Sequence, residues 1–135
     1  MKTNTLLTSI IFIFLLSCKN EQIQEIPICG CNSKRGEFQE EIEATIYYKN
    51  DKFESDFMRN YFWLNYRYGN FSITQIVCNE ELLGTIFDDI LDNNPDQYQE
   101  VEVVYSGYTK RLCTYPNSLS TMSYSHIELT SIERQ

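Results

Sequence analysis

From residue 41 to 48 the chain alternates strictly. Glu41, Glu43, Thr45 and Tyr47 fall on one side, and Ile42, Ala44, Ile46 and Tyr48 on the other. A period of two predicts a half-buried strand, which Asn50-Asp51 ends. Two aromatic, β-branched runs follow at 61–68 and 71–78, separated only by Gly69-Asn70. A two-residue Gly-X loop suits a type II′ hairpin. Its register sets Tyr68 opposite Phe71, Tyr66 opposite Ile73, Leu64 opposite Gln75 and Phe62 opposite Val77. That face is nearly all apolar and predicts core. The other face carries Tyr61, Trp63, Asn65, Arg67, Ser72, Thr74, Ile76 and Cys78.

The period then changes. Leu82, Leu83, Ile86, Phe87, Ile90 and Leu91 recur at helical spacing, and this predicts an amphipathic helix. Asn79 would be its N-cap, Glu80 and Glu81 would suit its positive end, and Asn93-Asn94-Pro95 would stop it. Val101, Val103 and Tyr105 resume an alternating strand that reaches Ser106-Gly107 or Leu112. Residues 113–123 read as a loop around Pro116, and 124–132 as a last strand. The fold class is thus mainly β with one helix, in the order β-β-β-α-β-β. A helix between the third and fourth of five strands is the order of an OB-like barrel. An open α+β sandwich uses the same elements.

The N-terminus follows a different logic. Lys2 precedes an apolar stretch at 6–16, interrupted only by Thr8 and Ser9, and the run closes on Leu15-Leu16-Ser17-Cys18. Eleven residues are too few to cross a bilayer core, which takes about 20, and fit a secretory signal. The Leu-Leu-Ser-Cys run resembles the lipobox of bacterial lipoprotein precursors. The resemblance implies cleavage before Cys18 and acylation of its thiol and new amino group with palmitate-type chains. It implies a protein lipid-anchored in the cell envelope, its partner a membrane reached through Cys18. Lys19-Asn20-Glu21 resembles the signals that send lipoproteins to the outer membrane, facing the periplasm or the surface.

On this reading residues 1–17 are a signal peptide, 18–40 a lipidated tether rich in Gln, Glu, Lys and Asn, and 41–135 a single β-rich domain. The runs at 76–78, 103–107 and 127–132 resemble small cysteine-containing lipoproteins with OB-like folds. That likeness implies no activity.

Charge narrows the partners. The whole chain carries a formal −8, and loss of Lys2 with the signal leaves 10 basic against 19 acidic residues, a net of −9. Such a surface repels nucleic acid. Ten Tyr, eight Phe and one Trp favour strands.

Setting Cys18 aside leaves Cys29, Cys31, Cys78 and Cys113, an even number that suggests two disulfides in an exported chain. Cys29 and Cys31 flank a single glycine, so a bond between them closes a strained ring. The favoured pairing sends one of them to Cys78 and the other to Cys113. Cys29–Cys31 with Cys78–Cys113 is the alternative, and it would supply a redox pair.

Other chemistry is thin. Cys29, Cys31, Cys78, Cys113 and His126 match no zinc spacing. Asp88, Asp89, Asp92 and Asp96 do not have the ligand order of an EF-hand and read as a solvated acidic rim. His126, the only histidine, has no nucleophile motif to serve. No phosphate-cradling glycine loop is present, and no cofactor or metal is called for. Tyr61, Trp63 and Ile76 on the mixed hairpin face form a candidate binding patch, because Trp and Tyr dominate recognition hot spots. The reading is a non-enzymatic, membrane-anchored module binding a protein or glycan. A thiol-disulfide oxidoreductase using Cys29 and Cys31, and a structural envelope component, are the alternatives.

Overall fold

The computed structural model describes residues 25–55, 57–117 and 120–135. The signal segment and Cys18 lie outside the described residues. Five strands make up the fold: β1 (Phe38–Lys49), β2 (Tyr61–Tyr68), β3 (Phe71–Val77), β4 (Val101–Lys110) and β5 (Met122–Arg134). They close into a barrel in the order β1-β2-β3-β5-β4, with β4 returning to β1. The β3–β5 pair is parallel and the other four are antiparallel. This is an OB-like small barrel.

The hairpin forms in the register its pattern dictates, from Leu64↔Gln75 through Tyr66↔Ile73 to Tyr68↔Phe71. Gly69 turns the chain at φ 58°, a left-handed backbone that glycine adopts without penalty. Inside the barrel, Ile46, Phe62, Leu64, Val77, Val103, Tyr105, Ile127 and Leu129 are buried together, with Ile42, Ala44 and Tyr48 against them. The alternation read at 41–48 therefore points its apolar members inward. The hairpin tip runs past this core, leaving Tyr68 and Phe71 exposed.

A polar chain crosses the interior. The Tyr105 hydroxyl donates to Gln75 Oε1 at 2.5 Å, Gln75 Nε2 donates to Ser125 Oγ at 3.2 Å, and Gln39 Nε2 donates to the Tyr66 hydroxyl at 2.8 Å. Buried polar groups persist when each has a partner.

The expected helix does not form. In its place stand two 3₁₀ turns, Glu80–Leu83 and Asp88–Ile90. Gly84 lies between them at φ 56°, ψ −134°, outside any helical region. The presumed caps are engaged elsewhere. Asn79 makes no cap bond; its side chain holds the β5 backbone at Leu129. Glu80 Oε1 accepts from the Phe62 backbone N–H at 3.1 Å. The inward residues survive the change: Leu83, Phe87 and Ile90 still plug the barrel end, while Leu82, Ile86 and Leu91 are exposed.

Closure depends on Gly107. A Cβ there would lie 2.5 Å from the Glu128 carbonyl and 3.1 Å from Leu129 Cα. The β4–β5 register slips between Ser106 and Gly107, so a bulge bends the sheet where a Cβ has no room.

Strand β1 begins at Phe38, and the chain is fastened to the barrel well before residue 41. Cys29 bonds Cys113 and Cys31 bonds Cys78. The Gly30 N–H donates to the Arg111 carbonyl and the Gly36 N–H to the Thr109 carbonyl, both at 2.7 Å. Residues 29–37 are thus part of the folded unit.

Candidate functional site

Barrel closure leaves a second apolar cluster outside the core. Trp63, Ile76 and Leu112 are buried there, packed by Tyr47, Phe57, Met58 and Tyr124. The strand register explains it. Tyr47 pairs with Trp63, and Trp63 with Ile76, so these three side chains share the outer face. The connection from β1 to β2 packs Phe57 and Met58 over them. Its return is fixed by the Asn60 N–H donating to the Lys49 carbonyl at 2.5 Å and by Asn60 Nδ2 donating to Asp51 Oδ1 at 2.9 Å.

Above this cluster lies a groove of about 290 Å³. Six aromatic side chains line it: Tyr47, Phe53, Phe57, Trp63, Tyr98 and Tyr124, with Lys49, Ser55 and Pro116. The rings brace one another. Tyr47 stacks on Trp63 at 5.9 Å and meets Tyr98 at 5.4 Å; Phe57 and Tyr124 present edges to Trp63 at 5.9 and 6.5 Å. The indole N–H of Trp63 donates to the Met58 carbonyl at 3.0 Å. Lys49 Nζ sits 4.7 Å above the Trp63 ring and donates to the Phe57 carbonyl at 2.7 Å. Burial, with Tyr98 and Glu100 nearby, pushes the Tyr47 hydroxyl well above its ordinary range. It stays a hydrogen-bond donor at neutral pH.

Asn93 places Tyr98. Its side chain donates to the Tyr48 and Gln99 carbonyls at 3.1 and 3.2 Å and accepts from the Gln99 N–H at 2.8 Å. The residue read as a helix stop instead ties the connection before β4 to the end of β1. This brings Tyr98 over Tyr47.

The three residues read as a patch separate. Trp63, at 5 % exposure, is the floor of the groove, and Ile76, at 0 %, lies behind it. Tyr61 pairs with Lys49 at the strand edge and does not line the groove. Sequence reasoning did not find Tyr47, Phe53, Phe57, Tyr98 or Tyr124. Only Tyr47 carried a signal, as the outward member of the first alternating strand.

Cys29 and Cys31 are not bonded to each other. Each reaches a distant cysteine, 84 and 47 residues away, so no vicinal redox pair exists in this bonding. Two acids of the supposed rim are paired: Asp89 accepts two bonds from Arg134 at 2.7 and 3.1 Å, and Asp92 meets Lys52 at 2.6 Å. His126 is buried on the outer side of β5, its Nδ1 3.6 Å from Cys31 Sγ. Burial lowers its affinity for a proton, and Lys110 adds to this.

No protein-family model and no curated protein matches the chain. Fixed ring faces, tyrosine hydroxyls and one ammonium suit a ligand with apolar faces and hydroxyl edges.

Proposed function

We propose that this chain is a lipid-anchored cell-envelope protein whose barrel binds a neutral oligosaccharide in the aromatic groove. One observation carries the binding half: six aromatic rings converge on the outer face of a closed OB-like barrel. Two connections flank that face, the β1–β2 segment that carries Phe53 and Phe57 and the β4–β5 segment that carries Pro116. OB folds take oligonucleotides and oligosaccharides on this side, between these two connections. The formal charge of −8 disfavours the first of those ligands. Sugar rings offer C–H faces to aromatic planes and hydroxyls to the tyrosines. The anchor half rests on the Leu15-Leu16-Ser17-Cys18 run, and acyl chains contribute about 0.8 kcal/mol per buried CH₂.

Two experiments test the halves separately. Intact protein passed over immobilised neutral oligosaccharides should be retained, and Tyr98→Ala should not; equal retention of both removes the groove from the account. Cells fed an alkyne fatty acid should label the wild-type protein and not Cys18→Ala; label on the variant removes the anchor.

A further inference from the structure

The disulfide between Cys31 and Cys78 has a buried imidazole against it. The two sulfurs and a ring nitrogen of His126 lie within 4.8 Å of one another, with His126 Nδ1 3.6 Å from Cys31 Sγ. His126 belongs to neither apolar cluster and does not line the groove. Its neighbour across β3 is Ile76, and its ring also hydrogen-bonds to the Ile76 backbone. Two sulfurs and an imidazole nitrogen are the donor set of a soft-metal site, while the bond between the sulfurs occupies both ligands.

We propose that opening the Cys31–Cys78 disulfide creates a three-coordinate Cu(I) site formed by Cys31 Sγ, Cys78 Sγ and His126 Nδ1. The step balances. A dithiol reductant gives two electrons and two protons to the Cys31–Cys78 bond and becomes a disulfide itself. Cu(I) then displaces the two thiol protons and binds the thiolates.

Each ligand stays in place when the bond opens. Cys31 is held from one side by the Gly30 N–H on the Arg111 carbonyl and by the Ser33 N–H on the Gly30 carbonyl, neither of which needs the Cys29–Cys113 bond. Its own carbonyl accepts from Lys110 Nζ at 2.5 Å. The Cys78 N–H donates to the Ile127 carbonyl at 2.9 Å. His126 is fixed in β5 by its pairing with Ile76 and Lys110. A thiolate pair needs only to part from a bonded to a metal-bridged separation.

The metal follows from the ligand set. Soft thiolates select Cu(I) and Zn²⁺. Structural zinc is almost always four-coordinate. Among the described residues no fourth Cys, His or carboxylate joins these three. Cu(I) accepts three ligands, and two thiolates leave its site with a net charge of −1. The Lys110 ammonium, at 9 % side-chain exposure and tied to Cys31 and Glu128, offsets that charge.

The test uses the full chain, reduced anaerobically and titrated with Cu(I) against a chromophoric Cu(I) chelator. One equivalent should bind to the reduced chain and none to the oxidised chain. His126→Asn should weaken binding by at least about tenfold. The double variant Cys29→Ser/Cys113→Ser should keep it, and Cys31→Ser/Cys78→Ser should lose it. X-ray absorption on the wild-type complex should report two sulfur neighbours and one nitrogen, which holds whether or not a variant folds. Copper bound equally by the Cys31→Ser/Cys78→Ser chain, a sulfur-only shell, or Zn²⁺ displacing Cu(I) at equal concentration would each overturn the proposal.

Discussion

Asn79 and Leu129 exchange two hydrogen bonds: Asn79 Nδ2 donates to the Leu129 carbonyl and the Leu129 N–H donates to Asn79 Oδ1, both at 2.8 Å. The side-chain amide thus takes the place of a strand partner where the β3–β5 pairing ends at Val77↔Ile127. It joins the end of the parallel β3–β5 pair to the start of the segment that plugs the barrel. Asn79→Ala leaves a half-buried donor and acceptor unpaired, which costs about 2–4 kcal/mol. Asn79→Asp keeps the acceptor and should lose less. Chemical denaturation of the three proteins checks the order.

Trp63 belongs to the groove and to the packing beneath it. Trp63→Ala removes a ring that is 5 % exposed and should destabilise the protein by about 3–5 kcal/mol. Tyr98 is 46 % exposed, so Tyr98→Ala should change stability by less than about 1 kcal/mol while abolishing ligand retention. Thermal unfolding beside the retention assay separates the two roles. A wild-type melting curve for Trp63→Ala would place the ring outside the packing.

Gly107→Ala inserts a methyl group where the Glu128 carbonyl lies 2.5 Å away. Backbone, not a movable side chain, is the obstacle. The variant should lose about 1–3 kcal/mol, and amide exchange should quicken first in β4 and β5. Uniform exchange across the sheet would contradict a local strain.

Glu128 supplies a pH dependence. Hydrogen bonds from Arg35 and Lys110 hold its carboxyl at about 2, against an ordinary value of 4.5. The folded value is the depressed one, so the unfolded chain takes up the proton first. The contribution is fully present above pH 4.5 and is lost as pH falls through about 2. Glu128→Gln should be less stable than wild type at neutral pH and should close that gap over this window. A gap independent of pH would remove the ion pairs from the account.

The two disulfides fasten residues 29–31 to the ends of β3 and β4. Cys31→Ser/Cys78→Ser should cost about 2–4 kcal/mol, read by denaturation of the non-reduced proteins. No loss would mean that the hydrogen bonds from Gly30 and Gly36 suffice to dock the segment.

Strand positions were legible because alternation and a two-residue glycine turn are local signals, and β2, β3 and the inward side of β1 follow them residue by residue. The OB-like barrel was expected from a helix between the third and fourth of five strands; the barrel forms, with two 3₁₀ turns in the helix's place. The helix was misread because its signals, a capping asparagine and an i, i+4 apolar stripe, answer equally to tertiary demands. Asn79 serves β5, Glu80 serves β2, and Gly84 breaks the run. Of the residues that line the groove, the sequence pattern singled out only Trp63. Phe53, Phe57 and Tyr98 sit on irregular connections whose positions depend on contacts such as Asn93 with Tyr48, which no local period encodes.

The groove contains the only tryptophan of the chain, so Trp63 fluorescence reports on it directly. The full-length protein should be titrated with soluble neutral oligosaccharides and, in parallel, with neutral peptides. The account predicts a saturable change in Trp63 emission with an oligosaccharide, absent in Tyr98→Ala. Emission that responds only to peptides, or that responds identically in the variant, would contradict it.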